Sequence, residues 1–308
     1  MHLSSQGVSG LRYPFAFSVC CLVTHPSEYT TLRNALKKQG FDESNCEFLV
    51  CDNSSGNKVT AYEAVRAFLA EARGQYVLIV HQDTLPLESA GKLLQSLASL
   101  EKADPRWGVV GNAGRSMDGS PVLALSVDGE TQRPGALFTK VAAVDENMML
   151  VRNGKGITVS SDLDGFHFYA FDLCSVAARL GYNSYVVDHL WRHDSRGVVD
   201  ESFFDAKKRV EDKMRAYHRD QPLPTTCTAL CWDRLPLARA KAQAMSLRLI
   251  AHPVHSSAWW KLWWTALRTD PLFLGYHFGY RLRDVADWVL RSFRRQRMLG
   301  AGANRRAL

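Results

Sequence analysis

Apolar and polar positions fall along most of the chain in blocks of two kinds. Phe15 to Val23 (FAFSVCCLV) is a continuous apolar run of strand length that gives way at once to Thr24-His25-Pro26-Ser27-Glu28. From Ser27, a suitable N-cap, the spacing turns helical through Lys38, and Gly40 supplies the stop. Glu47 to Cys51 reads as a second strand, ending in Asp52-Asn53-Ser54-Ser55-Gly56. Val59 to Ala72 reads as a helix closed by Arg73-Gly74, and Val77 to Val80 as a third, fully buried strand. Strand and helix thus alternate, and each strand ends in polar residues. That alternation predicts a mainly parallel, Rossmann-type α/β sheet flanked by helices.

The pattern continues with a helix over 86–104, a strand Trp107–Val110 and a Gly/Ser-rich loop over 111–120. Several short strand-like runs follow over 121–150, ending at Val141 to Asp145. Leu173 to Leu180 reads as a short helix stopped by Gly181, and Tyr185 to Val187 as a last strand. A charged helix is expected over 205–219, broken by Gln221-Pro222-Leu223-Pro224.

Composition changes this picture in one place. Residues 231–308 hold 14 Lys+Arg against 4 Asp+Glu, a balance of +10, while the rest holds 24 against 27, a balance of −3. The same segment is rich in tryptophan. The expected division is a catalytic domain over 1–220 and a basic, Trp-rich helical extension over 221–308. Seven cysteines without a CxxC pair suggest reduced thiols and a cytoplasmic setting. Neither a secretory leader nor an apolar run long enough to span a membrane is apparent.

Candidate chemistry begins where the third strand stops, at His81-Gln82-Asp83. Ligands of open α/β sheets bind beyond the carboxyl ends of strands. His81 and Asp83 are metal-ligating types two residues apart, and in an extended segment they would share a face. Asp83 capping a turn explains the same residues as well.

The order LVTHP, VCDNSSG, ARGQYVLIVHQD, DGFHFYAFDLC, GYNSYVV and HDSRG resembles a family 2, GT-A-fold glycosyltransferase, of the subgroup that writes its DxD metal motif as HQD. The likeness runs from about Phe15 to about Arg209. It implies a GT-A-like fold, a nucleotide-sugar donor (UDP-, dTDP- or GDP-linked), a divalent metal (Mn2+ or Mg2+) and inversion at the sugar carbon. Asp83 becomes the first metal ligand, with His81 and the downstream His193 beside it. Asp52 takes the place that contacts the nucleotide base, although an Asx-turn is its ordinary use, and Thr24 and Glu28 join the donor site. The proton-accepting base comes from an acidic motif before the helix near Leu173, where this chain has Ala170 at the usual acidic position. Asp172 and His167 are therefore the catalytic candidates, with Asp164 behind them. Asp172 also suits a helix N-cap.

In the C-terminal segment Trp259, Trp260, Trp263, Trp264 and Leu267 fall on one helical face. A second helix from about Arg281 to Arg297 carries six arginines. Such helices over 255–297 suit an anionic membrane surface, or alternatively packing on protein. The expectation is a metal-dependent, inverting transferase acting on a hydroxyl of a bacterial surface glycan or lipid-linked glycoconjugate. It would sit in the cytoplasm, peripheral on the inner membrane, with no nucleic-acid partner. The alternative is a non-catalytic GT-A-like binding or scaffold protein, for which Ala170 speaks.

Overall fold

The computed structural model describes residues 13–193, 201–215, 223–225 and 229–230. The chain divides into two compact units, Met1–Val210 and Glu211–Leu308. The first unit opens β1 (Phe15–Val23), α1 (Pro26–Lys38), β2 (Cys46–Asp52), α2 (Ala61–Glu71), β3 (Gly74–Val80), β4 (Thr84–Pro86), α3 (Ala90–Ala103) and β5 (Trp107–Gly111). Short strands follow: β6 (Ala113–Arg115), β7 (Pro121–Leu123), β8 (Leu125–Val127), β9 (Glu130–Gln132), β10 (Phe138–Val141), β11 (Ala143–Val144) and β12 (Met148–Arg152). The unit continues with α4 (Tyr169–Arg179), β13 (Asn183–Val187), β14 (Trp191–His193) and the greater part of α5 (Glu201–Met214). In the second unit β15 (Leu223–Pro224) pairs antiparallel with β16 (Ala229–Leu230), and Arg215 pairs with Asp212 at 2.9 Å. The tryptophan-rich helices expected over 255–297 lie outside the described residues; among the described residues no helix is long and apolar enough to cross a membrane.

Seven strands form the main sheet in the order β10-β13-β5-β12-β3-β1-β2. β2, β1, β3, β5 and β13 share one direction. β12 runs antiparallel between β3 and β5, and β10 antiparallel at the edge. The expected mixed α/β architecture is therefore present, with one reversal in its interior that the apolar pattern does not announce.

Strand alternation divides the core. Phe17, Val19, Cys21 and Val23 of β1 join Leu78 and Val80 of β3, and there meet Leu32 and Leu36 of α1 and Leu93, Leu97 and Leu100 of α3. Ser18, Cys20, Val77 and Ile79 face the other way, toward the side on which α2 packs against β1 and β3. Local starts differ from expectation in several helices, the first three among them. α1 is entered through His25 with Pro26 at its first turn, not through Ser27, and Pro suits that place because its missing N–H would have no partner there. A capping box on α2 joins Thr60 and Glu63. The helix expected over 86–104 is α3, which starts only at Ala90 because Thr84–Pro86 extends as a strand.

Glu88 fixes the approach of β4 to β14. Its Oε2 accepts the Leu190 N–H at 2.8 Å, and its Oε1 accepts from Lys92 at 2.7 Å and Arg133 at 2.6 Å. Arg133 also reaches Asp188 at 2.6 Å. The pairing so anchored sets Thr84 opposite His193. Burial alone would raise the Glu88 carboxyl, but hydrogen bonds from Arg133, Lys92 and the Leu190 N–H overrule it and hold it at about 2, below its ordinary 4.5. A depressed folded pKa contributes stability in full above the unfolded value and loses it as pH falls through the folded one. Glu88→Gln is thus expected to lower the unfolding free energy near neutrality by on the order of 2–3 kcal/mol. Urea titrations over a pH series should find the gap to wild type closing between pH 4.5 and about 2; a gap independent of pH would refute the assignment.

Candidate active site

The carboxyl ends of the first three strands lie side by side. Val23 stands opposite Asp52 across β1 and β2, and Cys20 opposite Ile79 across β1 and β3. Gln82 bridges the last pair. Its Oε1 accepts both the Thr24 and the His25 N–H at 2.8 Å. Its Nε2 reaches Thr24 Oγ1 at 2.8 Å and His25 Nδ1 at 3.0 Å. One amide therefore satisfies two backbone donors left by the entry to α1 and ties the β1 end to the β3 end.

His81, Asp83 and His193 converge beside this bridge. One ligand atom from each lies within 4.8 Å of the other two. His193 Nε2 is 3.4 Å from Asp83 Oδ2, and the two imidazole rings meet edge to face at 5.8 Å. The expectation that His81 and Asp83 share a strand face is not how they meet. β3 ends at Val80, and the Thr84 N–H donates to the His81 carbonyl at 3.2 Å, so the motif is a turn. His193 arrives through the pairing of β14 with β4. Two imidazoles and a carboxylate form a donor set suited to a borderline or hard divalent cation. Burial first, then the charge of His193, push the His81 imidazole below its ordinary value, toward the neutral form that binds metals. Burial would raise the Asp83 carboxyl, but the His193 hydrogen bond and the charges of both histidines hold it below the usual range. Tyr169 Oη lies 2.7 Å from His81 Nε2 and fixes that ring, the part an outer-shell partner plays at a metal site.

The other expected residues are placed as follows. Asp52 is exposed at the end of β2, where its Oδ1 accepts the Ser54 N–H at 2.8 Å in an Asx-turn. Thr24 is bound to Gln82, and Glu28 is exposed in the first turn of α1, 3.8 Å from His25. His167 packs edge to face on Phe203 of α5 at 5.4 Å, with Ser202 Oγ 3.3 Å from its Nε2. Asp172 is fully buried inside α4 rather than at its N-cap. Its Oδ2 accepts the Ser160 N–H at 2.6 Å and its Oδ1 the Ser160 hydroxyl at 2.8 Å, so it pins the chain before α4 and has no face toward an acceptor. Ala170 is buried as well, and of the aromatic run only Phe166 is exposed. Asp164 is exposed on the loop before α4.

α4 starts in an unusual way. Its N-cap Phe168 has φ +67°, the left-handed region, and contributes no side-chain cap. That conformation strains a bulky residue, and packing on Phe203 at a centroid distance of 4.9 Å holds it. The N–H groups at Ala170, Phe168 and Tyr169 lie near the carboxylate of Glu146 and favour its ionised form. Glu146, Gln82 and the Tyr169 contact all bear on the site without having been singled out by the sequence pattern.

No family model matches the chain. The protein "ATP synthase subunits region ORF 6" of Fuscovulum blasticum is 32% identical over 209 residues, which cover 65% of this chain and 84% of that protein. Among solved structures, TarS residues 1–349 of S. aureus in complex with UDP-GlcNAc is similar at 14% identity and a TM-score of 0.45, covering 76% of this chain and 71% of that one. The mannosyltransferase from Pyrobaculum calidifontis in complex with GDP-Man and Mn2+ is similar at 12% identity and a TM-score of 0.42, covering 88% and 81%.

Replacing Gln82 by leucine removes the acceptor of two backbone N–H groups at nearly constant volume. The expected cost is about 2 kcal/mol of stability. Amide exchange at Thr24 and His25 should speed up at least about tenfold, as 1.4 kcal/mol of local opening implies, while the buried β5 amides keep their relative protection. Uniform loss across the sheet would contradict a local bridge.

Proposed function

We propose a reaction for this chain, which belongs to the family of the ATP synthase subunits region ORF 6 protein: it is a metal-dependent, inverting glycosyltransferase. It moves a sugar from a nucleoside-diphosphate donor to a hydroxyl of a bacterial surface glycan or lipid-linked glycoconjugate. The observation that supports this most is the convergence of His81, Asp83 and His193 at the carboxyl ends of β3 and β14, next to those of β1 and β2. The ordered motifs from Phe15 to Arg209 support it independently.

In this reading His81, Asp83 and His193 would hold Mn2+ or Mg2+, and the bound ion would supply positive charge against that developing on the departing diphosphate. Tyr169 orients His81 from behind, and Gln82 keeps the β1 end, with Thr24, at a fixed distance from Asp83. Asp52 accepts an N–H of the nucleotide base with the carboxylate oxygen that its Asx-turn leaves available. Glu28, exposed at the mouth of the same edge, belongs to the donor side. His167 stands on the acceptor side, against α5. The basic segment over 255–297 would keep the enzyme on the cytoplasmic face of the inner membrane, near a lipid-linked acceptor.

A second reading is a non-catalytic nucleotide- or glycan-binding protein, favoured by the apolar, buried Ala170 and the sealed Asp172. Donor binding without release of diphosphate would select it. Calorimetry with UDP-, dTDP- and GDP-sugars is expected to find Mn2+-dependent binding of one of them. Asp83→Asn and His193→Ala should each weaken that binding by at least about tenfold, a level set by loss of one charge-assisted contact. Equal affinity with and without Mn2+, or unchanged affinity in both variants, would overturn the metal site.

A further inference from the structure

Neither acid position at the start of α4 offers the acceptor's proton a carboxylate. Asp172 is buried on Ser160, and position 170, where the resemblance places a carboxylate, is alanine. The antiparallel course of β12 bears directly on this gap. An antiparallel strand begins where its parallel neighbours end, so the residues just before Met148 lie at the carboxyl end of β3. Met148 stands opposite Val80, and the His81 N–H donates to the Asn147 carbonyl at 3.0 Å. Asp145 and Glu146 therefore enter the same edge as His81, from a part of the sequence some sixty residues away.

We infer that Glu146 is the catalytic base of the transfer, its carboxylate brought by β12 to the start of α4, in the place that Ala170 leaves without one. The inference rests on the glycosyltransferase reading above. Three features carry it. The Glu146 carboxylate lies near the backbone N–H groups of Ala170, Phe168 and Tyr169, which favour its ionised form, so it shares the surroundings of residue 170. The left-handed Phe168 is a strained residue spent on this same helix start. Glu146 is also half-buried rather than sealed, unlike Asp172.

Its surroundings are those of a proton acceptor. Asp145 precedes it, its Oδ1 accepting the Asn147 N–H at 3.1 Å. Tyr169 of α4 and Tyr62 of α2 pack edge to face at 6.2 Å, and both phenols are raised, first by burial and then by neighbouring carboxylates that include Glu146. The Tyr62 hydroxyl is buried without a hydrogen-bond partner among the described residues. Burial, then the charge of Asp145, lift the Glu146 carboxyl to about 8 against the three N–H groups that lower it. A carboxylate of that affinity takes a proton from a hydroxyl far more readily than an exposed one.

In the step, the acceptor oxygen bonds to the anomeric carbon while the bond from that carbon to the phosphate oxygen breaks. The nucleoside diphosphate leaves with the electron pair, and the acceptor's hydroxyl proton passes to a Glu146 oxygen and then to solvent. No oxidant or further reactant is required.

Glu146→Gln tests this well, because an amide oxygen still accepts N–H groups at the α4 start but takes no proton. The measurement is release of nucleoside diphosphate from the UDP-, dTDP- or GDP-sugar that the full chain binds with Mn2+, water standing in for the acceptor hydroxyl. The expected result is a kcat lower by about 100-fold or more, with the thermal midpoint and donor Kd unchanged. A variant turning over within about threefold of wild type would overturn the inference and leave the glycosyltransferase reading standing. So would a wild type that binds donor but releases no diphosphate, for then Glu146 is a helix cap. A wild type that binds none of the three donors fails earlier, at the reading on which the inference rests. If Glu146→Gln does not fold, Glu146→Asp serves, with kcat expected to drop at least about tenfold at unchanged Kd.

Discussion

The side-chain amide of Gln82 is the contact on which the candidate site depends. Thr24 and His25 leave β1 with backbone N–H groups that the start of α1 cannot use, and a donor of that kind is costly to bury without an acceptor. Gln82 supplies one oxygen to both. By doing so it fixes the turn that carries His81 on one side and Asp83 on the other, two side chains whose usefulness depends on a spacing of a few ångströms. Everything further out is arranged around that turn. The Glu88 cluster sets β14 against β4, and so brings His193 in from the far side. Tyr169 closes on His81 from α4.

The electrostatics of the edge follow the same economy. Carboxylates there fall into two groups by what surrounds them. Asp83 and Glu88 face cations or potential cations and are held ionised. Asp172 spends both oxygens on Ser160, whereas burial, then the charge of Asp145, push Glu146 the opposite way. Carboxylates driven apart in affinity within one small region divide structural from chemical work: burial raises Asp83, Glu88 and Glu146 alike, and hydrogen bonds and cations decide which are held low.

Much of this was legible in the sequence, for physical reasons that also explain the remainder. A strand buried on both faces must be apolar throughout and must stop where it meets water. FAFSVCCLV and VLIV therefore announced β1 and β3, EFLVC announced β2 although it is an edge strand with Val50 exposed, and the polar ends of all three marked the candidate site. His81, Asp83 and His193 were readable as residue types, and the structure brings all three together. Gln82 was visible only as the middle letter of HQD, because its partners depend on β1 and β3 being neighbours. The direction of a strand leaves no mark on its hydrophobic pattern, so MMLV could not disclose that Glu146 stands at the site edge. Asp172 misled in the other direction: an acid at a helix start fits an N-cap rule, whereas the N-cap of α4 lies four residues earlier, at a strained Phe168.

The order of the first three strands has a last consequence. From β1 the chain passes through α1 to β2 on one side, then crosses back through α2 to β3 on the other. The connections leaving β1 and β2 consequently go to opposite faces of the sheet, since parallel crossovers keep one hand, while α3 after β3 returns to the face of α1. Gln82 ties the β1 connection to the turn after β3, so the two leave the sheet edge together. That shared departure holds the Thr24 turn one amide group away from the turn that carries His81 and Asp83.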